Sequence, residues 1–297
     1  MITVLNDAPR RLRELLAGDQ LVWGPGVFDG ISARVAAAVG FPMLYMTGAG
    51  TSASRIGMPD LGLTTMTEMV ENARVIARVA NVPVIADADT GFGDTLNVVR
   101  TVYEYERAGI AGMHIEDQVF PKRCGHLQGK VVVPADEYLR RIRAAVGERT
   151  NPDFLIIART DARQPHGFDE AMDRIKGAFD AGADVGFLEG PESVSEVERT
   201  VAQAPGPMLL NLAAHGATPN LRVADVQRLG FKLAIFPAAC MIPSALAIRR
   251  ALETLKRDGT DAEVTEGHSP RAFFSMVGLE EQLELDAGYG GSTLSPV

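Results

Sequence analysis

Cysteine, positive charge and long apolar runs are all scarce in this chain of 297 residues. Its two cysteines, Cys124 and Cys240, are too few for a disulfide framework, which predicts a reducing compartment, the cytoplasm. No apolar run approaches the roughly 20 residues of a membrane helix, and residues 1–14 lack the apolar segment of a signal peptide. The 29 Lys and Arg are outnumbered by 38 Asp and Glu, and the net charge of −9 argues against nucleic acid or an anionic membrane as a partner.

The remaining composition is that of a folded globular protein. Hydrophobic residues make up 46% of the chain and charged residues 23%, which predicts a compact fold with a large core. The length admits either two domains or one α/β barrel, because single barrels commonly reach about 250 residues and more.

Short apolar runs that alternate with helical stretches predict eight strands. Helical periodicity recurs between them, for example over Met66–Val79 and Leu96–Ala108. Continuously apolar strands alternating with helices indicate a parallel sheet covered on both faces, and eight such units favour a closed (β/α)8 TIM barrel over an open doubly wound sheet. The predicted strands are Leu21–Phe28, Met43–Thr47, Val82–Asp89, Gly112–Gln118, Phe154–Asp161, Val185–Gly190, Met208–Leu212 and Leu233–Pro237.

The last forty or so residues depart from this pattern. A helix over Pro243–Lys256 is followed by a polar break, 257–269, and a second helix over Pro270–Leu283. The tail, 288–297, is rich in Gly and Ser, which predicts a flexible end or one that lies on a neighbouring subunit. We therefore expect one barrel domain over 1–297, with 258–297 as a C-terminal helical extension.

Polar residues follow most of the predicted strands. In a TIM barrel the C-terminal strand ends form the active site, and six of the eight end in polar groups here. Taken singly these groups could be helix caps or internal ion pairs, but their convergence favours an active site. They are the backbone N–H groups of Thr47, Gly48 and Ala49 at the end of the second strand, and the side chains of Asp87 and Asp89 in the third, Glu116 in the fourth, Arg159 and Asp161 in the fifth, Glu189 in the sixth and Asn211 in the seventh.

The pair Asp87 and Asp89 predicts a divalent cation. Residues two apart on a strand point to the same side, so both carboxylates should face one spot. Carboxylate and water ligands favour Mg²⁺, with Mn²⁺ nearly as suitable, and no His-rich or thiolate set suggests zinc. Asp60 is a further candidate that could orient metal-bound water.

The segment Lys122-Arg123-Cys124-Gly125-His126 places one thiol among cations in a predicted mobile loop. Neighbouring positive charges favour thiolate over thiol, which predicts a Cys124 tuned for proton transfer or attack. The alternative is a surface loop whose charges are merely solvated.

These motifs together resemble the isocitrate lyase and phosphoenolpyruvate mutase superfamily. The resemblance runs from about Pro25 to Arg257 and is carried by four motifs: Asp87-Ala88-Asp89-Thr90-Gly91, His114-Ile115-Glu116-Asp117-Gln118, Lys122-Arg123-Cys124-Gly125-His126 and Ala158-Arg159-Thr160-Asp161. It implies a (β/α)8 barrel whose last helix is exchanged between subunits of a homotetramer, a dimer of helix-swapped dimers. The loop with its cysteine resembles the branch that cleaves carbon–carbon bonds.

The resemblance also implies roles for the residues at the strand ends. Asp87 and Asp89 would hold Mg²⁺ directly or through water, with Asp60 acting through water and Glu116 nearby. Cys124 would be the general acid, Arg159 would stabilise the substrate 2-oxygen, and Lys122 and His126 would act beside them. Substrate would be held by Thr47, Gly48 and Ala49 through the backbone, and by Gly125, Glu189 and Asn211. The base that removes the hydroxyl proton is left open between Tyr45, Glu116 and a metal-bound water.

The expected substrate is a 2-hydroxy diacid of the malate type, cleaved to a 2-keto acid such as pyruvate and a second carboxylic acid. Where methylisocitrate lyases carry an Arg for a third carboxylate, this chain has Ile242, which leaves Arg271 as a candidate anion contact. No Ser of the oxaloacetate hydrolase type stands near Ala238. The stretches 187–190 and 215–219 resemble the 2,3-dimethylmalate lyase type. Methylisocitrate cleavage, oxaloacetate hydrolysis and carboxyphosphonoenolpyruvate mutase-type phosphonate chemistry remain alternatives.

Overall fold

A closed barrel of eight parallel strands forms the centre of the molecule. The structure is a computed structural model that describes residues 7–291. The strands pair in chain order, each with the next, and the first pairs with the last to close the barrel. They are β1 (Val22–Val27), β2 (Leu44–Met46), β3 (Val84–Asp87), β4 (Gly112–Glu116), β5 (Leu155–Thr160), β6 (Val185–Leu188), β7 (Met208–Asn211) and β8 (Leu233–Phe236). The predicted TIM barrel and all eight of its strands are confirmed.

Side chains that alternate along the strands fill the interior of the barrel. Tyr45, Ile85, Ile157 and Phe187 belong to this buried layer, which makes the interior a packed core. The N-terminal end is closed by a helix over Ala8–Ala17 (α1), because its Leu12 is fully buried against the same layer. Only the opposite end, where the strands finish, is left to form a site.

Helices cover the outside of the barrel. The helical stretches predicted between strands are confirmed to within a few residues, but one predicted helix, Pro270–Leu283, is wrong. It is two helices, separated at Gly278, whose left-handed φ of 94° breaks the helical path. Beyond α1 the helices are α2 (Gly30–Val39), α3 (Gly48–Arg55), α4 (Met66–Ala80), α5 (Thr95–Ala108), α6 (Ala135–Glu148), α7 (Arg163–His166), α8 (Phe168–Asp180), α9 (Val194–Gln203), α10 (Val223–Leu229), α11 (Met241–Asp258), α12 (Pro270–Met276) and α13 (Leu279–Gly288).

Helix α11 buries none of its residues in this chain. Its exposed apolar side chains are Ile242, Leu246, Ile248, Leu252 and Leu255, with 40–59% of each surface open. A helix with such a face normally packs it against a partner. The predicted exchange of this helix between subunits stays a prediction. Most of the predicted flexible tail, 292–297, lies outside the described residues.

No helix within residues 7–291 is both long and apolar enough to cross a membrane. Both cysteines are free thiols.

Candidate active site

A cavity of about 260 Å³ opens at the C-terminal ends of the strands. This is the end at which TIM barrels carry their active sites. A wider groove of about 570 Å³, between α2, α4 and α12, is lined mainly by Arg34, Arg78 and small residues and has no such convergence of strand ends. Residues that line the cavity include Tyr45, Thr47, Ala49, Asp60, Asp87, Cys124, Gly125, His126, Arg159, Glu189, Asn211, Pro237, Ala238, Met241 and Ile242.

Arg159, at the end of β5, is the principal cation of the cavity. Its guanidinium makes two hydrogen bonds to Asp161, Nε to Oδ2 at 2.9 Å and Nη2 to Oδ1 at 3.1 Å. Glu116 lies 3.4 Å from Nη1 and Glu189 lies 3.3 Å from Nη2. Phe187 stacks beneath it, with its ring centre 5.2 Å from Cζ. Although burial opposes the charge, these three carboxylates hold the pKa of Arg159 above its usual value, so it stays a fixed cation.

Asp87 and Asp89 do come together, although not by strand alternation. Strand β3 ends at Asp87, and Asp89 lies in a turn with a left-handed φ of 47°. The two are joined by a hydrogen bond from the Asp89 N–H to Asp87 Oδ1, 2.9 Å long. The expectation that both point from one face of a strand is therefore wrong. Asp89 lies beyond the strand, and the turn brings it to Asp87.

Lys122 reaches from the loop into these carboxylates. Its Nζ lies 2.6 Å from Asp60 Oδ1 and 2.6 Å from Asp89 Oδ1, and its side chain is 2% exposed. Burial would lower the pKa of Lys122, but Asp89, Glu116, Asp87 and Asp60 together raise it. The lysine therefore enters the cluster as an ammonium ion.

The carboxylates near Lys122 still outnumber the cationic side chains that contact them. Both side-chain oxygens of Glu116 are buried without a hydrogen bond, and burial raises the pKa of Glu116 despite Arg159 and Lys122. Burial also raises the pKa of Asp89 to about 7. Within residues 7–291 no three His, Cys, Asp or Glu side chains stand close enough to enclose a metal ion. The set fits a cation held by one or two carboxylates, with water and substrate as the other ligands, which is the usual binding mode of Mg²⁺.

Cys124 sits in the loop between β4 and α6, at the mouth of the cavity. Burial raises the pKa of its thiol, and the carboxylates of Asp60 and Glu189 add to the rise, against a hydrogen bond from the backbone at His126. The expected thiolate is therefore wrong. The neighbouring cations do not lower the pKa of the thiol, because Lys122 contacts carboxylates and Arg123 donates to the Gln128 carbonyl, 3.1 Å away.

The loop is fastened at its base and its tip. Gln118 pairs with Val132, the Val119 N–H donates to the Val131 carbonyl at 2.8 Å, and the Cys124 N–H donates to the Asp60 carbonyl at 3.1 Å. At the tip, Gly125 lies so close to the cavity floor that a Cβ there would fall 2.4 Å from Arg159 Nη2. The loop thus covers the cavity, and glycine is the residue that permits its close approach.

His126, Glu189 and Asn211 form the other wall. Asn211 Nδ2 donates to Glu189 Oε2 at 3.1 Å and lies 3.3 Å from His126 Nε2, which is itself 3.9 Å from Glu189 Oε1. Residues from β6, β7 and the loop are therefore assembled at one place, as the sequence predicted.

Tyr45 is linked to His114 at the floor of the cavity. The Tyr45 hydroxyl lies 3.0 Å from His114 Nε2, and His114 Nδ1 lies 3.7 Å from Asp87 Oδ1. Burial raises the pKa of Tyr45, with Asp87 adding to the rise. Tyr45 and Glu116 both remain candidates for the base.

The backbone group expected to bind a carboxylate is only partly free. The Thr47 N–H donates to the Val27 carbonyl at 3.1 Å and the Gly48 N–H donates to Asp87 Oδ2 at 3.2 Å. Ala49, in the first turn of α3, has an N–H for which the helix supplies no acceptor.

Arg271 is not brought to this cavity. It lies on α12, beyond the unpacked α11, with 55% of its side chain exposed and 3.9 Å from Glu280. Its predicted contact with a substrate anion is not made within the described part of this chain.

Sequence reasoning missed two buried residues beside the cavity. His114 was given no role of its own, but it makes the polar contact with Tyr45. Lys130, in a run of residues with no motif of its own, has a 2% exposed side chain paired with Asp161. Its position six residues after Cys124 was the only available signal.

Comparison with known proteins gives consistent matches along the chain. A family model described as phosphoenolpyruvate phosphomutase matches residues 12–256. A 2,3-dimethylmalate lyase from Eubacterium barkeri is 45% identical over 280 residues, covering 94% of this chain and 97% of that protein. A 2-methylisocitrate lyase from Aeropyrum pernix is 41% identical over 277 residues, covering 93% and 89%.

Solved structures match over nearly the whole chain. An oxaloacetate acetylhydrolase in complex with the inhibitor 3,3-difluorooxalacetate is 45% identical with a TM-score of 0.94, covering 97% of this chain and 99% of that one. A phosphonopyruvate hydrolase complexed with oxalate and Mg²⁺ is 30% identical with a TM-score of 0.85, covering 95% and 99%.

Proposed function

This chain belongs to the phosphoenolpyruvate mutase and isocitrate lyase superfamily and is a lyase of it, and from that premise we propose that it cleaves the C2–C3 bond of an alkyl-substituted malate. The products are a 2-keto acid such as pyruvate and a second carboxylic acid. The observation that carries the proposal is the meeting of a protonated Cys124 thiol, the Arg159 cation and the carboxylates beside Asp87 in one small cavity.

The cavity lining favours a small diacid over a tricarboxylate. Among the described residues Arg159 is the one arginine that lines it, and Pro237, Ala238, Met241 and Ile242 form an apolar wall of the lining. A third carboxylate placed there would be desolvated without a partner, which is costly. Methyl groups on the malate carbons would instead pack on that wall. The 45% identical relative named for 2,3-dimethylmalate supports the same substrate class.

The residues of the cavity divide the steps of this reaction among them. A base, Glu116 as its carboxylate or Tyr45 as its phenolate, removes the proton of the 2-hydroxyl, and Arg159 stabilises the negative charge on that oxygen. The C2–C3 bond then breaks: the 2-oxygen becomes the keto oxygen, and the bonding electrons remain on C3. Cys124 gives its proton to C3, and the loop over the cavity excludes water that would compete as the acid.

Asp87 and Asp89 would hold Mg²⁺, or Mn²⁺ in its place, with Asp60 contacting it through water. When bound, the ion supplies a Lewis acid for the 2-oxygen and the adjacent carboxylate. The buried oxygens of Glu116, which accept no hydrogen bond, and the raised pKa of Asp89 support a cation at this place.

For the whole protein we propose a cytoplasmic homotetramer built from helix-swapped dimers. The open apolar face of α11 and the two free thiols support this assignment. Small di- or tricarboxylates are its ligands, and the net charge of −9 argues against nucleic acid and anionic membrane surfaces.

The test is release of a 2-keto acid, coupled to lactate dehydrogenase, from malate, 2-methylmalate, 2,3-dimethylmalate and 2-methylisocitrate. The three methylated substrates would give pyruvate, and malate, which has a hydrogen on C2, would give glyoxylate. We expect turnover of a methylated malate that a chelator abolishes and added Mg²⁺ restores. Asp87→Ala should raise the Mg²⁺ concentration needed for half-maximal rate. Turnover confined to 2-methylisocitrate would contradict the small-diacid assignment, and silence across the panel would contradict the lyase assignment.

A second candidate is hydrolysis of oxaloacetate, which the likeness to the oxaloacetate acetylhydrolase structure favours. Oxalate and acetate formed from oxaloacetate would identify it. A phosphorus-31 spectrum of the enzyme with a phosphonate substrate would reveal mutase chemistry instead.

A further inference from the structure

Lys130 is a buried cation that the reaction described above does not use. It follows the loop tip by a few residues, and its side chain is only 2% exposed. Its Nζ donates to the Gly125 carbonyl at 2.6 Å and to Asp161 Oδ1 at 2.8 Å. Burying a lysine is costly unless it is paired and hydrogen-bonded, and here both partners lie beside the cavity.

The two partners of Lys130 belong to the two halves of the site. The Gly125 carbonyl lies between Cys124 and His126, in the covering loop. Asp161, after β5, makes both hydrogen bonds to the Arg159 guanidinium. The Lys130 ammonium group therefore joins the loop that carries Cys124 to Asp161, the carboxylate that orients Arg159.

Asp161 is also fixed by its backbone, through Asp117. Its own N–H donates to Asp117 Oδ1 at 2.8 Å, and Asp117 Oδ2 accepts from Thr160 Oγ1 at 2.6 Å. Burial alone would raise the pKa of Asp161, but Arg159 and Lys130 together keep that pKa below its usual value. Asp161 is therefore a fixed anion on a rigid support, and a lysine that binds it is anchored.

We propose that Lys130 is a positioning residue that locks the covering loop to Arg159, so that Cys124 is held over the substrate only while this link is made. The assignment rests on the proposed lyase function. Lys130 does not line the cavity, and it acts through Gly125 and Asp161. Without it the Gly125 carbonyl loses this donor, and the loop loses its ammonium bond to Asp161, which follows β5.

The test compares Lys130→Met with the parent protein, both carrying Cys240→Ser so that Cys124 is the one thiol. We expect kcat to fall about 100-fold with a much smaller change in KM, because misplacing a catalytic group by an ångström costs this much. Iodoacetamide should alkylate Cys124 several-fold faster, because the loop opens more often. Lys176→Met, which removes an exposed lysine paired only with Asp173, is the matched control and should change neither quantity.

The two readouts separate this proposal from the lyase assignment. Alkylation of Cys124 needs no turnover, so a parent protein that cleaves no diacid would contradict the function while the alkylation rates still decide the role of Lys130. A folded Lys130→Met protein with parental kcat and parental alkylation rate would overturn the proposal. Lys130→Gln is measured by the same criteria should the methionine variant not fold, and Lys130→Arg should restore part of the lost rate.

Discussion

The Cys124 thiol keeps its proton at neutral pH because it is partly buried beside the carboxylates of Asp60 and Glu189, with its lysine neighbour turned away. A general acid must hold a proton until the carbanion forms, and a thiolate could not serve. Of the cations that the sequence places beside this sulfur, Lys122 instead neutralises Asp60 and Asp89, and Arg123 donates to the Gln128 carbonyl. Sequence proximity to a charge is therefore a poor guide to the pKa of a loop residue.

Replacing Cys124 by alanine should lower kcat by about 10²- to 10⁴-fold, the usual contribution of a positioned acid. Binding of pyruvate, measured by calorimetry, should be unchanged, because Arg159 and the carboxylates remain. Cys240→Ala, which removes the half-buried thiol outside the cavity lining, is the control. Turnover that survives in Cys124→Ala would exclude the acid role.

His114 should make stability depend on acid. Burial lowers its pKa to about 4 from 6.5, although Asp87 opposes this. The unfolded chain therefore binds this proton first, so stability falls as pH drops from about 6.5 to 4, by up to roughly 3 kcal/mol. Urea unfolding of wild type and His114→Gln across this range should show a shallower fall in the variant. Equal slopes would mean that His114 accepts its proton without cost.

Among the elements, the covering loop depends on a single small residue, Gly125, for its close approach to the cavity floor. Gly125→Ala should lower kcat strongly, because the new Cβ would meet Arg159 Nη2 at 2.4 Å and Glu189 Cδ at 2.8 Å. Gly147→Ala, in α6, meets nothing within 4 Å and should be neutral or slightly stabilising. Steady-state kinetics and thermal unfolding of both variants would check this. An unimpaired Gly125→Ala would show that the loop does not close as described.

The elements that the sequence predicted best are those governed by local periodicity. Each barrel strand is a short apolar run between turns, so its existence could be predicted from its own residues. The break at Gly278 was missed because the residues on both sides favour a helix, and the left-handed φ of one glycine decides the matter. The link from Lys130 to Asp161 could not be predicted either, since 31 residues separate them and Lys130 belongs to none of the motifs.

The site residues at strand ends could be predicted because barrel closure gathers those ends whatever the intervening sequence. Arg159, Glu189 and Asn211 meet in the cavity for this reason. Arg271 has no such constraint, because it follows a helix that does not rest on its own barrel.

For the whole molecule, α11 is the longest of the described helices that bury no residue in the single chain. Leu252→Asp should shift the protein to smaller assemblies, because it places a charge on the apolar face that we propose lies against a neighbouring subunit. Val194→Asp, at a site on α9 that is 46% exposed, is the control and should leave the assembly intact. Light scattering after gel filtration measures both. An unchanged mass for Leu252→Asp would argue against the helix exchange.

Two residues of the cavity wall also begin helix α11. Met241 and Ile242 line the cavity and also form the first turn of that helix. If the rest of α11 is held by a neighbouring subunit, the wall is braced only in the assembled protein. Specific activity would then fall on dilution, with chains at nanomolar concentration turning over more slowly than the same chains at micromolar concentration, and enzyme concentration would itself regulate the reaction.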